Sequence, residues 1–480
     1  QRPALLHERR GVGQVMMNFD TIVVGAGQAG PFLAAKLVNR GRKVALVEAR
    51  DLGGTCVNRG CTPTKTLRKS ARVAYLARRA AEFGVQVGPV KVDFAVAMQR
   101  MQDRVDQARS GLESWLGGLE GLRIIKAHGR LTGRDGGEFL VQAGEHILRA
   151  PQIILNTGTR SSVPTIPGLA ENPYLDSEGL LALRELPRKL VIIGGGYISL
   201  EMAQIFRRLG SKVAIIETGP RLTGREDADV SAAVTEMLQA EGIDVYIGVS
   251  IAAVKPGETE GGTCVQLADG RIIGGSHLLV AAGRVPNTDD LGLDSVGLRA
   301  NMRGYIATND RLETDVPGIW ALGDINQRGA FTHTSYHDHD VLAENLAGGQ
   351  RSADARNSIY AMFTDPPLAH VGLYEADAKR LVEKEGRRIS QAVHAMKDVS
   401  RAKEESETVG VIKLLIDEDS GLFLGATMLG IQADEIIQSI GLVMASQGTW
   451  RTVREALPVH PTVTEFLPTI IDRRKPLVMN

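Results

Sequence analysis

Cysteine, net charge and long apolar runs are all scarce in this chain. Among 480 residues only Cys56, Cys61 and Cys264 are cysteines, so disulfides do not staple the fold and a reducing, cytoplasmic setting is expected. The 56 basic and 56 acidic residues balance, which provides no basic field for nucleic acid or an anionic membrane. No apolar run approaches the ~20 residues that span a bilayer. We therefore expect neither a nucleic-acid partner nor a membrane association.

The strongest organisational signal is an internal repeat. Residues 19–50 and 189–218 each read as an apolar strand, a glycine turn, an amphipathic helix and a second apolar strand that ends in glutamate. This is the βαβ pattern of a dinucleotide-binding unit, in which glycine backbone N–H groups approach a pyrophosphate at a helix N-terminus. A single glycine fingerprint is weak evidence, but two copies with matching acidic residues predict two dinucleotide sites.

The first copy carries the complete fingerprint. Gly25, Gly27 and Gly30 are its three glycines, and Glu48 lies 23 residues after Gly25. A carboxylate at that distance is placed to accept hydrogen bonds from an adenosine ribose. The alternative is a Rossmann-like fold with an empty site, which the second copy makes less favoured.

The second copy departs from the fingerprint at its third glycine. Gly194 and Gly196 are in place, but Ser199 occupies the third position. Serine is small enough for helix–strand packing, so the copy is interpreted as an altered but working site. Glu217 favours NADH, because a carboxylate hydrogen-bonds the free 2′-hydroxyl and repels a 2′-phosphate, while Arg221 could partly restore NADPH binding.

A pair of cysteines lies in the segment GGTCVNRGCTPTK, residues 53–65. Four residues separate the thiols of Cys56 and Cys61, a spacing that one helical turn brings close enough for a disulfide. Two buried structural thiols, or half of a zinc site, are the alternatives. Zinc needs about four ligands, and the chain has no second cysteine pair to supply them. Cys264, in a strand-like segment, is expected to be an inert small hydrophobe.

These motifs together resemble the pyridine nucleotide–disulfide oxidoreductases, the family of glutathione reductase, dihydrolipoamide dehydrogenase and mercuric reductase. The resemblance runs from Phe19 over nearly the whole chain and includes Gly323-Asp324 in ALGDIN and His460-Pro461 near the C-terminus. The segments CTPTKTL and FTHTSY are most similar to the mercuric-reductase-like branch that includes reactive-chlorine-resistance flavoproteins.

The resemblance implies an α/β fold with two Rossmann-like domains, which bind FAD and NAD(P), and a C-terminal α+β dimerisation domain. It also implies a homodimer whose active site is shared across subunits. The expected boundaries are a disordered extension at 1–18, an FAD-binding domain at 19–158 and 289–350, an NAD(P)-binding domain at 159–288 and a dimerisation domain at 351–480. Within the last domain, residues 410–430 read as a hairpin.

The resemblance also implies roles for the residues around the cysteine pair. Cys61 would lie against the flavin as the charge-transfer thiol, and Cys56 would be the outer thiol that meets substrate. Lys65 would lie near flavin N5 and pair with Glu201. A buried cation there favours the reduced, anionic flavin, and its carboxylate partner offsets the cost of burial.

A histidine completes the implied catalytic set. His460 would be the acid–base partner of Cys56, supplied by the other subunit and oriented by Glu465. An imidazolium beside a thiol stabilises the thiolate, which is the form that attacks a disulfide.

The fingerprints and the resemblance together assign the cofactor-binding residues. Those for FAD are Gly25, Gly27, Gly30, Glu48, Gly54, Thr55, Lys65, Gly129, Thr157, Gly158 and Asp324. Those for the nicotinamide nucleotide are Gly194, Gly196, Ser199, Glu217, Arg221, Gly283 and Arg284. The cluster His333, His337 and His339 looks like a metal site, but the resemblance places it beside the flavin, so no metal is assigned.

The sequence therefore predicts an NAD(P)H-dependent flavoprotein that reduces a small disulfide or thiol-reactive oxidant through Cys56 and Cys61, with NADH favoured. A reductase of Hg(II) or another soft metal ion is the first alternative, weakened because no cysteine follows Cys264. A dihydrolipoamide dehydrogenase subunit of a multienzyme complex is the second. A flavin-bound redox sensor with negligible turnover is the third.

Overall fold

The computed structural model describes residues 15–258 and 261–479. Most of the expected extension 1–18 lies outside these residues, but Val15–Asn18 forms a strand that pairs in parallel with His146–Ala150. A strand therefore precedes Phe19, the residue at which the sequence predicted the fold to begin. The strand gives little local signal because its partner lies far downstream in the chain.

The described residues form a mixture of strands and helices. The strands are β1 (Val15–Asn18), β2 (Thr21–Val24), β3 (Val44–Glu48), β4 (Leu122–Lys126), β5 (Gly129–Asp135), β6 (Glu138–Ala143), β7 (His146–Ala150), β8 (Gln152–Leu155), β9 (Thr159–Ser161), β10 (Lys189–Ile193), β11 (Lys212–Glu217), β12 (Asp244–Ile247), β13 (Ile251–Pro256), β14 (Thr263–Leu267), β15 (Ile272–Gly275), β16 (His277–Val280), β17 (Arg284–Pro286), β18 (Ile319–Ala321), β19 (Ile359–Met362), β20 (Leu368–Gly372), β21 (Ile389–Ala395), β22 (Val411–Asp417), β23 (Phe423–Leu429) and β24 (Lys475–Pro476). The helices are α1 (Gly30–Val38), α2 (Gly54–Arg59), α3 (Cys61–Arg78), α4 (Phe94–Gly117), α5 (Ser177–Leu181), α6 (Tyr197–Leu209), α7 (Ala228–Ala240), α8 (Thr332–Asn345), α9 (Glu375–Glu385), α10 (Ser400–Glu404), α11 (Ala433–Ala445), α12 (Trp450–Glu455) and α13 (Leu467–Asp472). None of the helices in the described ranges is long and apolar enough to cross a bilayer.

The described residues divide into two compact units. Of the described residues, the first unit contains 15–58, 107–160 and 285–353, and the second contains 59–106, 161–258, 261–284 and 354–479. Most of the predicted FAD-binding domain falls in the first unit, and the predicted NAD(P)-binding and dimerisation domains share the second. The three-domain division remains a prediction.

The first unit is built on a five-stranded parallel sheet in the order β18-β8-β2-β3-β4. Strand β2 is buried along its whole length, as expected for a parallel strand that is covered on both faces. Thr21 of β2 pairs with Val44 of β3 and Gln152 of β8, so the carboxyl ends of these strands meet at one edge. A four-stranded sheet in the order β1-β7-β6-β5 belongs to the same unit, and β17 pairs with β9 in a separate two-stranded sheet.

The second unit contains three sheets. Its parallel sheet has the order β12-β11-β10-β16, and its largest sheet has the order β19-β20-β23-β22-β21-β24. Neighbouring strands of the large sheet are antiparallel, and the pairing of β22 with β23 confirms the hairpin predicted over 410–430. A smaller antiparallel sheet has the order β13-β14-β15.

Residues 59–106, which the prediction placed in the FAD-binding domain, lie in the second compact unit. Leu67 and Phe94 belong to the same buried cluster as Leu200 and Phe206 of α6. Burying apolar side chains is the main favourable term in folding, so this shared core assigns 59–106 to the second unit. The partners are far apart in sequence, and local patterns do not reveal them.

Candidate active site

The first glycine turn joins β2 to α1. Gly25 has φ +103°, and a Cβ on it would lie 2.2 Å from the carbonyl oxygen of Asn156. A Cβ on Gly30 would lie 2.2 Å from the carbonyl oxygen of Gly25. The absence of a side chain at both positions lets the N-terminus of α1 lie close against β2, as the dinucleotide fingerprint requires. The side chain of Asn156 accepts the Gly30 N–H at 3.0 Å.

Glu48 lies beside this turn at the end of β3. Its Oε2 accepts the Ala26 N–H at 2.7 Å, and its Oε1 accepts the Arg50 N–H at 2.7 Å. A Cβ on Gly54 would lie 2.8 Å from the Cα of Gly27, so the start of α2 closes onto the turn. The arrangement joins a helix N-terminus, which suits a pyrophosphate, to a carboxylate that suits a ribose.

Asp324 lies on a short 3₁₀ turn, Gly323–Asn326, that follows β18. Thr159 Oγ1 donates to Asp324 Oδ2 at 3.1 Å, and the Gly323 N–H donates to the buried Asp338 carboxylate at 2.8 Å. Gly323 has φ +72°, and a Cβ there would lie 2.7 Å from Ser335 Oγ. A network of side chains therefore holds the Asp324 backbone in place.

The remaining predicted FAD residues show mixed environments. Thr157 Oγ1 donates to the Asn287 carbonyl at 2.8 Å, and a Cβ on Gly158 would meet nothing within 4 Å. A Cβ on Gly129 would lie 2.9 Å from Val24, so packing alone accounts for that glycine. Thr55 is exposed on α2. The donors, the glycine cradle and the two carboxylates of the first unit fit FAD.

The second glycine turn joins β10 to α6. Gly194 has φ +111°, and a Cβ there would lie 2.5 Å from the Ala281 carbonyl oxygen, whereas one on Gly196 would meet nothing within 4 Å. Ser199 is fully buried, and its Oγ donates to the same Ala281 carbonyl at 3.4 Å. Serine thus packs where the fingerprint has its third glycine.

Glu217 closes this turn from the end of β11. Its two oxygens accept the N–H groups of Gly195 and Gly219, each at 2.5 Å. Arg221 Nη2 donates to the Gly224 carbonyl at 3.3 Å, so the side chain bends back onto its own loop. The turn and carboxylate fit an adenine dinucleotide.

Gly283 and Arg284 follow β16. Gly283 has φ +128°, a conformation that L side chains rarely adopt. Its carbonyl accepts the Ser162 N–H at 2.9 Å. Arg284 is partly buried.

The two cysteines lie on consecutive helices. Cys56 is on the short helix α2, and Cys61 is the first residue of the 18-residue helix α3, with Gly60 as its N-cap. Both thiols are partly buried. A helix N-terminus stabilises negative charge, so the position of Cys61 favours its thiolate.

Lys65 lies one turn after Cys61 on α3. Its Nζ is 2.8 Å from Glu201 Oε2 on α6, and it lies 4.6 Å from the centre of the Phe363 ring. The other oxygen of Glu201 accepts the Phe363 N–H at 2.8 Å. The structure thus brings together the two residues that the resemblance paired.

His460 and Glu465 form a hydrogen-bonded pair. The His460 Nδ1 is 2.9 Å from Glu465 Oε2, and the imidazole is 78% exposed in the single chain. Glu465 Oε1 also accepts the Thr462 N–H at 3.4 Å, which helps to fix the carboxylate. Since Nδ1 is held by the carboxylate, Nε2 is the ring nitrogen that Glu465 does not engage.

One cluster of possible metal ligands is present among residues 15–258 and 261–479. It comprises Asp227, Asp229 and Glu375. The Lys413 ammonium lies 2.9, 2.9 and 2.7 Å from these three carboxylates, so a protein cation already balances their charge. We assign no metal.

The histidine-rich segment does not gather into a metal-binding group within the described part of the chain. His337 Nε2 lies 3.1 Å from Arg351, and His339 Nδ1 meets the Tyr336 carbonyl. Both side chains lie on α8.

Sequence patterns did not point to three buried polar residues beside the glycine turns. Asn156 and Asp338 hold the first turn and the Asp324 segment, and Glu226 accepts a hydrogen bond from Tyr197 beside the second turn. A polar residue at the end of an apolar strand was the available signal for Asn156. The other two depend on long-range packing.

Comparison with known proteins identifies the family. The sequence model described as pyridine nucleotide-disulphide oxidoreductase matches residues 19–338, and the dimerisation domain of that family matches residues 359–471. The chain is 31% identical over 458 residues to "Probable pyridine nucleotide-disulfide oxidoreductase RclA" of Escherichia coli, which covers 94% of this chain and 98% of the relative.

Other relatives carry different names. The chain is 32% identical to dihydrolipoyl dehydrogenase of Chlamydia muridarum, with 93% of this chain and 95% of the relative covered. It is 31% identical to mercuric reductase of Bacillus cereus, with 94% of this chain and 70% of the relative covered. Among solved structures, the Cu(II) complex of the HOCl-induced flavoprotein disulfide reductase RclA from Escherichia coli matches with a TM-score of 0.85 at 30% identity. That match covers 95% of this chain and all of the other.

These matches confirm the predicted family, the two Rossmann-type binding regions and the C-terminal dimerisation domain. The family is FAD-dependent, uses a pyridine nucleotide and forms homodimers. The chain is therefore a member of the pyridine nucleotide–disulfide oxidoreductases, and it is an oxidoreductase enzyme of the flavoprotein disulfide reductase type.

Proposed function

We propose that this enzyme reduces a small disulfide or thiol-reactive oxidant through a redox-active pair formed by Cys56 and Cys61. The net reaction consumes one NADH, one proton and one disulfide, and it yields NAD⁺ and two thiols. The observation that supports this proposal most directly is the position of Cys61 at the N-terminus of α3. One turn later on the same helix, Lys65 forms an ion pair with Glu201. The same helix thus carries a cysteine at its N-terminus and a cation one turn later.

The two cysteines have different tasks in the proposal. The Cys56 thiolate attacks one sulfur of the substrate disulfide and releases the first thiol product. Cys61 then attacks the Cys56 sulfur, which releases the second thiol and forms the Cys56–Cys61 bond. Because exchange needs a thiolate as attacking group, the helix N-terminus supports the second step.

Lys65 and Glu201 act in the half of the catalytic cycle in which the Cys56–Cys61 disulfide is reduced. Bound FAD would take two electrons from the nicotinamide nucleotide and pass them to the Cys56–Cys61 disulfide. Lys65 supplies a positive charge that favours an anionic group next to α3, and Glu201 holds the ammonium through a 2.8 Å contact. The Phe363 N–H fixes the carboxylate in turn.

His460 is proposed to manage the proton of Cys56 across the homodimer. Glu465 holds Nδ1, so Nε2 can take the proton of the Cys56 thiol and return it to a leaving thiolate. The exposure of His460 in the single chain and its place in the matched dimerisation domain support this role.

NADH is the proposed electron donor, with NADPH second. Both oxygens of Glu217 are engaged by backbone N–H groups, so the carboxylate is fixed and cannot turn away from a 2′-phosphate. The negative charge of Glu217 would repel the 2′-phosphate of NADPH, which disfavours that nucleotide. The Arg221 side chain bends back to the Gly224 carbonyl, so its positive charge offsets little of this repulsion.

Replacing Glu217 with glutamine tests the preference. The amide keeps a carbonyl acceptor for the turn but removes the negative charge, so the ratio of kcat/KM for NADH over NADPH should fall by about tenfold. Steady-state kinetics with both nucleotides measure it. Asp244→Ala removes an exposed carboxylate from the neighbouring strand β12 and should leave the ratio unchanged. An equal ratio in the Glu217 variant and the unaltered enzyme contradicts the role.

A soft metal ion is the second candidate substrate. The relative RclA has been solved as a Cu(II) complex and is described as HOCl-induced, and another relative is a mercuric reductase. A dithiol also binds such ions, so the proposed site could reduce them. The three-cysteine composition supports a reducing, cytoplasmic setting for either substrate.

An acceptor panel tests the proposed function. NADH consumption is measured with oxidised glutathione, lipoamide, cystine, hypothiocyanite, Cu(II) and Hg(II). We expect a small disulfide or hypothiocyanite to give the highest kcat/KM. Lipoamide in first place would favour a dihydrolipoamide dehydrogenase subunit, and Cu(II) or Hg(II) in first place would favour a metal-ion reductase. No turnover with any acceptor would favour a redox sensor.

A further inference from the structure

A buried carboxyl lies beside the second glycine turn. Glu226 is 1% exposed, and its Oε1 accepts hydrogen bonds from the hydroxyls of Tyr197 and Tyr360, each at 2.6 Å. Its Oε2 is buried and has no hydrogen-bond partner among the described residues. A buried polar atom without a partner costs stability, so the side chain is not explained by packing alone.

The Glu226 loop is tied to the nucleotide turn. Tyr197 is the first residue of α6 and follows its N-cap Gly196. The Thr223 N–H donates to the Gly195 carbonyl at 2.8 Å. Thr223 adopts φ +46°, which is costly for a β-branched residue. The loop therefore accepts local strain in order to turn back onto the glycines.

Three aromatic side chains, Tyr360, His370 and Tyr374, lie on the other side of Glu226 and form an aromatic platform. Tyr360 lies on β19, within the matched dimerisation domain, and its hydroxyl meets that of Tyr374. The Tyr374 ring stacks on His370 with ring centres 4.0 Å apart. Burial raises the pKa of the Glu226 carboxyl, although the two tyrosine hydroxyls and the nearby Arg225 oppose this shift.

We infer that Glu226 is a positioning residue for the pyridine nucleotide. Its carboxyl fastens the Tyr197 phenol to the Tyr360 platform and keeps that ring out of the space beside Gly196. A Cβ added to Gly196 would meet nothing within 4 Å, and this open space is where a pyrophosphate at the helix N-terminus belongs. The inference rests on the proposed role of the second turn as the nucleotide site.

Removing the carboxyl leaves Tyr197 its contact with Tyr360 but takes away its hydrogen bond to Glu226, so its other staggered rotamers become more accessible. A ring at the first position of α6 then competes with the nucleotide for the space beside Gly196. The expected effect is on nucleotide affinity and not on the reaction of the cysteine pair. Tyr360 acts through the same oxygen, so the dimerisation domain contributes to the nucleotide site indirectly.

Calorimetric titration of the FAD-loaded protein tests the inference without turnover. The probe is NAD⁺ or NADP⁺, whichever the unaltered protein binds more tightly. Glu226→Ala and Tyr197→Phe should each raise its Kd by about tenfold, the effect of losing one buried hydrogen bond. Glu226→Gln should stay within about twofold, because its carbonyl still accepts from both tyrosines. Tyr246→Phe, which removes a phenol hydroxyl from β12, is the matched control and should not change Kd.

The double variant Glu226→Ala with Tyr197→Phe separates positioning from general damage. If the two side chains act as one unit, its Kd should equal that of either single variant. Unchanged binding by Tyr197→Phe, or additive losses in the double variant, overturns the inference. Tyr197→Phe decides the question even if Glu226→Ala does not fold. Failure of the unaltered protein to bind either nucleotide would overturn the proposed nucleotide site itself.

Discussion

Replacing Cys56 with serine is expected to lower disulfide turnover by about 10³-fold or more, because a hydroxyl does not ionise at neutral pH and cannot attack a disulfide. Cys61→Ser should have a similar effect, since the mixed disulfide with Cys56 would not be resolved. NADH consumption with the best acceptor of the panel measures both. Cys264→Ser is the matched control, because Cys264 lies on β14 with its sulfur against the Pro256 carbonyl, and it should retain full turnover.

The two cysteine variants should differ in their absorption spectra. A thiolate that lies against oxidised FAD gives a long-wavelength band on partial anaerobic reduction. Cys61→Ser should abolish this band, whereas Cys56→Ser should retain it. Loss of the band in Cys56→Ser with its survival in Cys61→Ser would reverse the two roles. Full turnover in a variant that lacks both thiols would end the proposal of a redox-active pair.

Replacing His460 with alanine should lower disulfide turnover by about 10²- to 10⁴-fold, the usual contribution of a positioned acid–base group. Added imidazole should restore part of the rate, because a free base can occupy the vacated position. Glu465→Gln should cost less, about 10- to 100-fold, since it disturbs only the orientation of the imidazole. Steady-state rates at saturating NADH measure these effects.

A second histidine–carboxylate pair provides the control for His460. His128 lies 3.2 Å from Asp290 and is 50% exposed, so it resembles the His460–Glu465 pair in chemistry but belongs to no predicted site. His128→Ala should leave turnover unchanged. If His460→Ala also retains full turnover, or if both variants lose activity equally, the acid–base assignment fails.

The local βαβ pattern carried most of the fold prediction. A glycine turn between an apolar strand and an amphipathic helix is determined within about 30 residues, and the structure places Glu48 and Glu217 at the ends of β3 and β11 beside those turns. The antiparallel pair β22 and β23 follows from an equally local hairpin signal. Motifs of this kind can be predicted from the sequence because the residues that interact are close together in it.

Contacts between segments that are far apart in the chain could not be predicted in this way. Strand β1 needs β7 as a partner, and the core of residues 59–106 needs Phe206 and its neighbours. Glu226 shows the same limit within the site, because its partners Tyr197 and Tyr360 come from opposite sides of it in the chain. A buried glutamate has no periodic pattern that marks it as buried. Only the assembled tertiary structure reveals what such residues touch.

The Glu217 carboxylate and the two glycines that it joins constrain how this lineage can change. A Cβ on Gly195 would lie 2.7 Å from Glu217 Oε2, and one on Gly219 would lie 3.0 Å from its Oε1. A substitution at either glycine therefore displaces the acidic side chain as well. If Glu217 sets the coenzyme preference as proposed, engineering towards a different coenzyme is best begun at residue 217, because a substitution at either flanking glycine also moves the Glu217 carboxylate.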